Sequence, residues 1–316
     1  MTTQIKTMKA ALCTGYGAPE VLEVSDVRRP TPKAHEVCVK LRATAVTASD
    51  TIVRGRKIPL WHPVGFMMSL VIGITKPRNP ILGMVFSGEV VSIGEKVQSF
   101  DVGDPVYGMT GPEFGAYAEY LCISEKGCLS KKPSCMSDEE AAAITYGGLI
   151  ASHFLEKGAL AQRKKVLIYG ASGAIGTAAL QLAKCAGAKV TGVCSTKHLE
   201  LVRSLGAEEV IDYTKEDALP DGVSYDLVLD AVGRKKTSTL KTQCRKALAK
   251  GGRYLSVDDG MPISRPAYLH KLSTLMELGQ YRAVLDRVYS LDEIVEAHKY
   301  VDKGHKKGNV VVTFAE

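Results

Sequence analysis

The sequence is poor in the features that mark several large functional classes. It has eight cysteines, but no two form a C-x-x-C pair and no histidine-rich segment accompanies them. The closest group, Cys122, Cys128 and Cys135, is spaced too widely and irregularly for a structural zinc knuckle. All eight are therefore expected to be buried, reduced thiols. No apolar run reaches the ~18 residues a membrane-spanning helix needs. The most apolar stretch, Val64 to Ile74, is broken by Gly65 and Gly73, and suits a lipophilic lid or a partner-facing surface better. Met1 to Thr7 has none of the apolar core of a secretory signal, so the expected location is cytoplasmic. There is no internal repeat and no low-complexity tract. The net charge is +7, yet Lys and Arg are scattered, with small clusters only at Arg163–Lys165, Arg234–Lys236 and Lys303–Lys307. A basic surface gathers phosphorylated ligands in general. Without a recognition motif it does not point to nucleic acid.

What is present falls into two kinds of chain. Through about residue 130 the pattern is mostly β, with strands expected at Val21–Val27, Glu36–Ala45, Phe86–Ile93 and Ala116–Ile123. Turns at Gly15–Gly17, Pro30–Pro32 and Val102–Pro105 punctuate them, as in a compact, barrel-like antiparallel domain. Ser137 and Glu140 then make a capping box that opens an Ala-rich helix from Asp138 to Leu155. Beyond it, apolar strands alternate with helical patterns, which predicts a parallel sheet covered on both faces. The strands are Val166–Tyr169, Val190–Cys194, Val210–Ile211, Leu227–Asp230 and Tyr254–Val257, with helices at Ile175–Ala186, Leu199–Leu205 and Ser238–Leu248. From about Arg282 the alternation stops, and a final strand Asn309–Phe314 is expected to return to the N-terminal domain.

The sharpest chemical signal is the turn Gly170-Ala-Ser-Gly173-Ala-Ile-Gly176, directly after a strand and directly before a helix. Small residues there let backbone N–H groups approach a pyrophosphate, and the helix N-terminus adds partial positive charge. The candidates to line it are Gly170, Ser172, Gly173, Ala174 and Ile175. Cofactor choice is read at the end of the next strand, where NAD enzymes usually place an acid for the ribose hydroxyls. This chain has Cys194-Ser195-Thr196-Lys197. No carboxylate stands there to repel a 2′-phosphate, and Ser195, Thr196 and Lys197 offer hydroxyls and an ammonium to hold one. The expected cofactor is NADPH. The plain alternative is that Ser195 caps a helix and Lys197 is solvated.

These segments resemble the medium-chain dehydrogenase/reductases, specifically their zinc-independent quinone oxidoreductase branch and related bacterial NAD(P)-dependent alcohol dehydrogenase-like proteins. The resemblance is carried by Met8-Lys-Ala-Ala, Gly17-Ala-Pro-Glu-Val-Leu, Pro80-Ile-Leu-Gly-Met-Val-Phe-Ser-Gly-Glu-Val, Val102-Gly-Asp-Pro-Val-Tyr-Gly and Gly115-Ala-Tyr-Ala-Glu-Tyr. The glycine turn with its helix, Leu205-Gly-Ala, Val210-Ile-Asp-Tyr and Gly304-His-Lys-Lys-Gly continue it. It implies an α/β fold in which a Rossmann doubly wound parallel sheet (136–281) is inserted into a GroES-like, β-rich catalytic domain (1–135, completed by 282–316), with the active site in the cleft between them. Tyr213 would then lie beside the adenosine phosphate, unless it only packs at a strand end.

Zinc-using relatives carry Cys in the segment that here reads Ala43 to Asp50, His-Glu at Met84-Val85, a further Cys near Tyr146, and a four-cysteine loop that this chain lacks. Their zinc ligands are replaced, so the resemblance implies zinc-independent chemistry. Hydride addition to a quinone or an α,β-unsaturated carbonyl asks least of such a site. Thr47, Asp50 and Tyr146 match the old metal positions and are the catalytic candidates; Tyr146 serves equally as a helix-packing residue. Two other readings stay open: an NADPH-binding redox sensor or partner-binding module with little turnover, and a zinc-independent NADP-linked alcohol or aldehyde dehydrogenase. Arg54 to Asn79 is longer than in many relatives and is expected to shape a greasy substrate pocket. The short stretch between Ser256 and Arg265 has no room for the edge strand through which many relatives pair, which leaves a homodimer open.

Overall fold

A computed structural model describes residues 6–58, 63–161, 164–233 and 238–315. The basic residues Arg163 and Arg234–Lys236 fall outside them. The chain divides into two compact units, Met1–Tyr146 with Leu285–Glu316, and Gly147–Val284. No helix of the described residues is long and apolar enough to cross a membrane.

The first unit begins with an antiparallel pair, β1 (Thr7–Cys13) and β2 (Leu22–Arg28). Then come β3 (Glu36–Val46), helices α1 (Ala48–Arg54) and α2 (Pro63–Ile72), and strands β4 (Val85–Ile93), β5 (Pro105–Met109), β6 (Tyr120–Ser124) and β7 (Cys128–Lys131). Its C-terminal part supplies strands at Leu285–Ser290 and Asn309–Thr313, with a helix at Ile294–Asp302 between them. The seven-stranded sheet is mostly antiparallel and centres on β3, which pairs with β4, with β6 and with the Asn309–Thr313 strand. Val37, Val39 and Leu41 of β3 lie fully in the core with Phe86, Val90 and Leu129. Their alternation is what the sequence pattern required.

Helix α3 (Asp138–Lys157) opens on the expected capping box: Glu140 N–H donates to Ser137 Oγ at 3.2 Å and Ser137 N–H to Glu140 Oε2 at 3.0 Å. Two glycines inside a helix cost stability unless packing needs them. Here a Cβ on Gly147 would meet Ala174 O at 2.3 Å and one on Gly148 would meet Leu272 Cδ1 at 2.5 Å.

The second unit holds β8 (Lys165–Tyr169), α4 (Ala174–Cys185), β9 (Lys189–Cys194), α5 (Leu199–Ser204), β10 (Glu209–Asp212), β11 (Tyr225–Asp230), α6 (Thr239–Lys246), β12 (Leu248–Ser256) and α7 (Pro266–Glu277). All five strands are parallel, in the order β10-β9-β8-β11-β12. The order reverses between β8 and β11, the place where doubly wound sheets bind ligands at their carboxyl ends. Strand β12 starts at Leu248, earlier than expected, and is bulged opposite Tyr225 and Leu227. Among the described residues no sixth strand follows it, and the chain passes from β12 to α7. The C-terminal elements of the first unit are β13 (Leu285–Ser290), α8 (Ile294–Asp302) and β14 (Asn309–Thr313).

All eight cysteines are free thiols. Cys13, Cys38, Cys194 and Cys244 are buried as expected, but Cys135 and Cys185 are exposed. Cys135 sits in the turn before α3, and Cys185 ends α4, where the helix emerges from its packed face.

Candidate functional site

Strand β8 delivers the chain to Gly170, whose φ of 82° only glycine adopts freely. A Cβ at Gly170 would strike Val232 Cγ2 at 2.4 Å, and one at Gly176 would strike Gly170 O at 2.1 Å. The turn therefore folds tightly against both the loop after β11 and the start of α4. Gly173 is the N-cap of α4, in extended conformation, and no side chain bonds to the helix start. A Cβ there would meet only Gly170 O, at 3.6 Å. No side chain of the described residues therefore caps the first-turn N–H groups, which lie at the switch point flanked by the half-buried Ser172, Ala174 and Ile175. That is the geometry a pyrophosphate needs.

At the end of β9, Ser195 is half-buried and begins a short 3-10 turn, Thr196–His198, without capping it through its side chain. Its hydroxyl makes no hydrogen bond among the described residues. Lys197 is exposed and pairs with no carboxylate among the described residues. Thr196 differs from the expectation. Its Oγ1 donates to Asp212 Oδ2 and lies 2.9 Å from Thr214 Oγ1. A carboxylate does reach this rim after all, from the neighbouring strand β10. It is already engaged: Thr214 N–H and Thr214 Oγ1 donate to Asp212 Oδ1 at 3.0 and 2.6 Å. Burial raises the Asp212 pKa, but the Thr196 and Thr214 hydrogen bonds outweigh it, leaving it below the usual value. Next to it Tyr213 is 41% exposed, with its ring centroid 6.4 Å from that of Tyr169. Its ring is open to a ligand rather than packed away.

The opposite side of the switch point is shaped by Asp230, a residue that sequence reading did not single out. Its Oδ1 accepts from Val232 and Gly233 N–H at 3.1 and 3.2 Å, and Oδ2 accepts from Tyr254 Oη at 3.0 Å. Lys241 Nζ pairs with Oδ2 at 2.7 Å and donates to Gly233 O. Removing either partner of a buried pair leaves the other uncompensated, so the two act as one brace for the loop that Gly170 touches. A cavity of about 190 Å³ lies against Asp230, Lys241, Arg245, Tyr254 and Ser256. The available signal was the acid at the end of an apolar strand, a position where burial demands a partner.

In the first unit, Thr47 and Asp50 come together, but as the capping box of α1. Thr47 N–H and Oγ1 donate to Asp50 Oδ2 at 2.8 and 2.7 Å, and Asp50 N–H faces Thr47 Oγ1 at 3.4 Å. Both are buried. Burial pushes the Asp50 carboxyl up to about 6, opposed by the Thr47 hydrogen bonds and by the nearby Tyr117 hydroxyl and Gly83 N–H. Asp50 Oδ1 nevertheless has no well-formed hydrogen bond. What the box positions is the residue between its members. Ser49 is half-buried, and its Oγ lies 2.7 Å from the Tyr146 hydroxyl. Ser49 was missed because a lone Ser on a helix carries no pattern; its place inside a T-x-x-D box was the clue. Among the described residues no three His, Cys, Asp or Glu side chains converge as metal ligands.

The segment Arg54–Asn79, expected to shape a substrate pocket, is described at residues 54–58 and 63–79. The cavity beneath α2, lined by Tyr16, Ile52, Val53, Arg56 and Ile72, measures about 20 Å³. That is room for about one water molecule.

Comparison with known proteins agrees with this geometry. The family model for the alcohol dehydrogenase GroES-like domain matches residues 33–134, and the zinc-binding dehydrogenase model matches 174–299. The chain is 32% identical to the 2-methylene-furan-3-one reductase of Solanum lycopersicum, over 96% of its own length and 79% of that protein. It is 30% identical to the chloroplastic NADPH-dependent alkenal/one oxidoreductase of Arabidopsis thaliana, over 97% and 80%. In three dimensions it is similar to the quinone oxidoreductase of Coxiella burnetii, with a TM-score of 0.85 and 27% identity over 98% and 99% of the two chains. Matches that run through both units, over a glycine turn of the required shape, leave one assignment: the chain belongs to the medium-chain dehydrogenase/reductases, in their quinone oxidoreductase-like branch.

Proposed function

We propose that this chain transfers a hydride from NADPH to a quinone or an α,β-unsaturated carbonyl, without zinc. The observation that carries the reading is the uncapped N-terminus of α4 behind Gly170, where no side chain bonds the helix start and a Cβ on Gly173 would meet only Gly170 O. Gly170, Ser172, Gly173, Ala174 and Ile175 hold the pyrophosphate there, and Tyr213 flanks the adenosine. Ser195 and Lys197 take the 2′-phosphate. Thr196 acts indirectly, holding Asp212 so that its charge is screened from that phosphate. NADPH bound in this way supplies the hydride.

The acceptor's developing negative charge then needs a hydrogen-bond donor, and the Ser49–Tyr146 hydroxyl pair provides it. Thr47 and Asp50 are positioning residues: they fix α1, and with it Ser49. A neutral pair of hydroxyls is a weak electrophile, which suits acceptors that delocalise the charge themselves. Simple ketones concentrate it on one oxygen and need a Lewis acid or a strong proton donor. The side chains at the former metal positions do not fit zinc, because Thr47 and Asp50 are turned into a helix cap and Tyr146 bonds Ser49. The relatives' names point the same way, to a methylene-furanone, an alkenal or enone, and a quinone as acceptors.

The deciding experiment is NADPH oxidation by the purified protein with a naphthoquinone, an alkenal and cyclohexanone, alongside elemental analysis. Turnover with the first two, none with the third, and substoichiometric zinc are expected. Reduction of cyclohexanone alone, or one tightly bound zinc per chain that a chelator removes with the activity, would reverse the assignment. Tight NADPH binding with no turnover on any acceptor would make the protein a binding module.

A further inference from the structure

Helix α2 is built inside out. Gly65, Ser69 and Gly73 recur every four residues and are buried. The Ser69 hydroxyl donates to Gly65 O at 2.8 Å, and the Tyr16 hydroxyl donates to Gly73 O at 2.8 Å, tying this small-residue stripe to the unit. Of the large apolar side chains that are described, Phe66 and Leu70, also four apart on the helix, are 54% and 43% exposed, Val71 beside them is 56% exposed, and Ile74 just beyond the helix is 54% exposed. Phe66, Leu70 and Val71 on this short helix, with Ile74 just past its end, form a clustered apolar surface rather than scattered exceptions, and surfaces of that kind mark contact sites.

The surrounding charge decides what the contact is. Residues 51–88 contain no Asp or Glu but include Arg54, Arg56, Lys57, Lys76 and Arg78. Arg54 and Lys57 are committed to Asp302. Lys76 and Arg78 follow the apolar stripe directly, are exposed, and pair with no carboxylate among the described residues. We infer that this face seats on the surface of an anionic membrane, with Phe66, Leu70, Val71 and Ile74 entering the interface and Lys76 and Arg78 meeting lipid phosphates and carboxylates. A helix of ten residues can lie in that interface and is too short to cross it. A second copy of the chain is a poorer occupant, because a two-fold contact would set both cationic rims against each other. A neutral bilayer would satisfy the apolar stripe and leave the cations without counter-charge.

The test is flotation of the full chain with vesicles of phosphatidylcholine alone and of phosphatidylcholine mixed with phosphatidylserine. Binding is expected to the mixed vesicles, to weaken in high salt, and to fall roughly tenfold or more in the double variant Leu70→Ser with Ile74→Ser. Lys76→Ser with Arg78→Ser should remove the preference for phosphatidylserine. Turnover of NADPH with a water-soluble acceptor should be unchanged in both, since these side chains point away from the core and take no part in the proposed chemistry. Failure of the wild-type chain to bind the mixed vesicles would overturn the inference, as would equal binding by the Leu70/Ile74 variant. A concentration-dependent dimer that this variant dissolves would name a second copy as the occupant, and a raised KM for the soluble acceptor would turn the face into substrate surface. Should the serine pair at 70 and 74 disturb folding by circular dichroism, the Lys76/Arg78 variant decides alone.

Discussion

Two helices of this protein begin in opposite ways. Helix α1 closes its own N-terminus: Thr47 and Asp50 satisfy its first donors reciprocally and are buried doing so. Helix α4 begins at Gly173 with no side-chain cap, behind a turn stripped to glycine, alanine and serine. The same backbone physics applies at both ends, since each helix has orphan N–H groups and a partial positive charge there. What differs is who supplies the anion. In α1 the chain supplies it and the result is rigidity; in α4 it is withheld and the result is an uncapped helix start of the kind an anionic ligand suits.

The sharpest way to break this contrast is to make α4 cap itself. Gly173 has φ −79° and ψ 176°, which any residue adopts, so Gly173→Asp should fold normally. Its carboxylate should take the N–H groups and repel a pyrophosphate, weakening NADPH and NADH alike by about a hundredfold or more. Fluorescence titration measures the loss and thermal melting shows whether the fold is intact; unchanged affinity would mean that the pyrophosphate lies elsewhere. A narrower cut is Lys197→Ala, which should weaken NADPH by roughly tenfold and leave NADH nearly untouched, as expected for one charge-assisted hydrogen bond. Equal losses for both cofactors would remove Lys197 from the 2′-phosphate.

On the self-capped side, effects should appear in turnover and stability while cofactor affinity holds. Tyr146→Phe should lower turnover roughly tenfold with the NADPH dissociation constant unchanged, and Ser49→Ala should do the same. If the hydroxyls act as a pair, the double variant should be little worse than either single one; full additivity would separate their roles. The smallest effect belongs to Thr47→Val. Loss of the cap should cost about 1 kcal/mol of stability in denaturant titration, again without a change in NADPH affinity.

The second unit was largely legible because its signals are local. An apolar strand, a glycine turn and a helix follow one another within residues 165–185, and each obeys its own short-range rule. The first unit was harder to read. Strands β1, β5 and β7 went unrecognised: β5 opens on Pro105 with Gly108 inside it, and β7 spans only Cys128–Lys131, so their pairing depends on distant partners rather than on propensity. At the candidate site, the glycine turn between β8 and α4 could be read from spacing alone. The roles of Thr47 and Asp50 could not, because a T-x-x-D spacing is equally a cap and a functional cluster until burial and hydrogen bonds are known. Asp212 was overlooked for a similar reason: only the parallel pairing of Asp212 with Cys194 brings it to the Ser195 rim.

Strand β14 runs between β13 and β3, pairing antiparallel from Val310 opposite Val46 to Thr313 opposite Ala43, so an interior strand of the first sheet is made by a segment that follows the whole second unit. The parallel sheet of the second unit needs nothing beyond Ser256. On the ribosome, the glycine turn and its parallel sheet can therefore assemble while the sheet that leads into Thr47 and Ser49 still lacks β13 and β14, which are made only after the whole second unit. Removing residues 309–313 would leave β13 without its partner and bare Ala43–Val46 of β3, instead of trimming an outer strand.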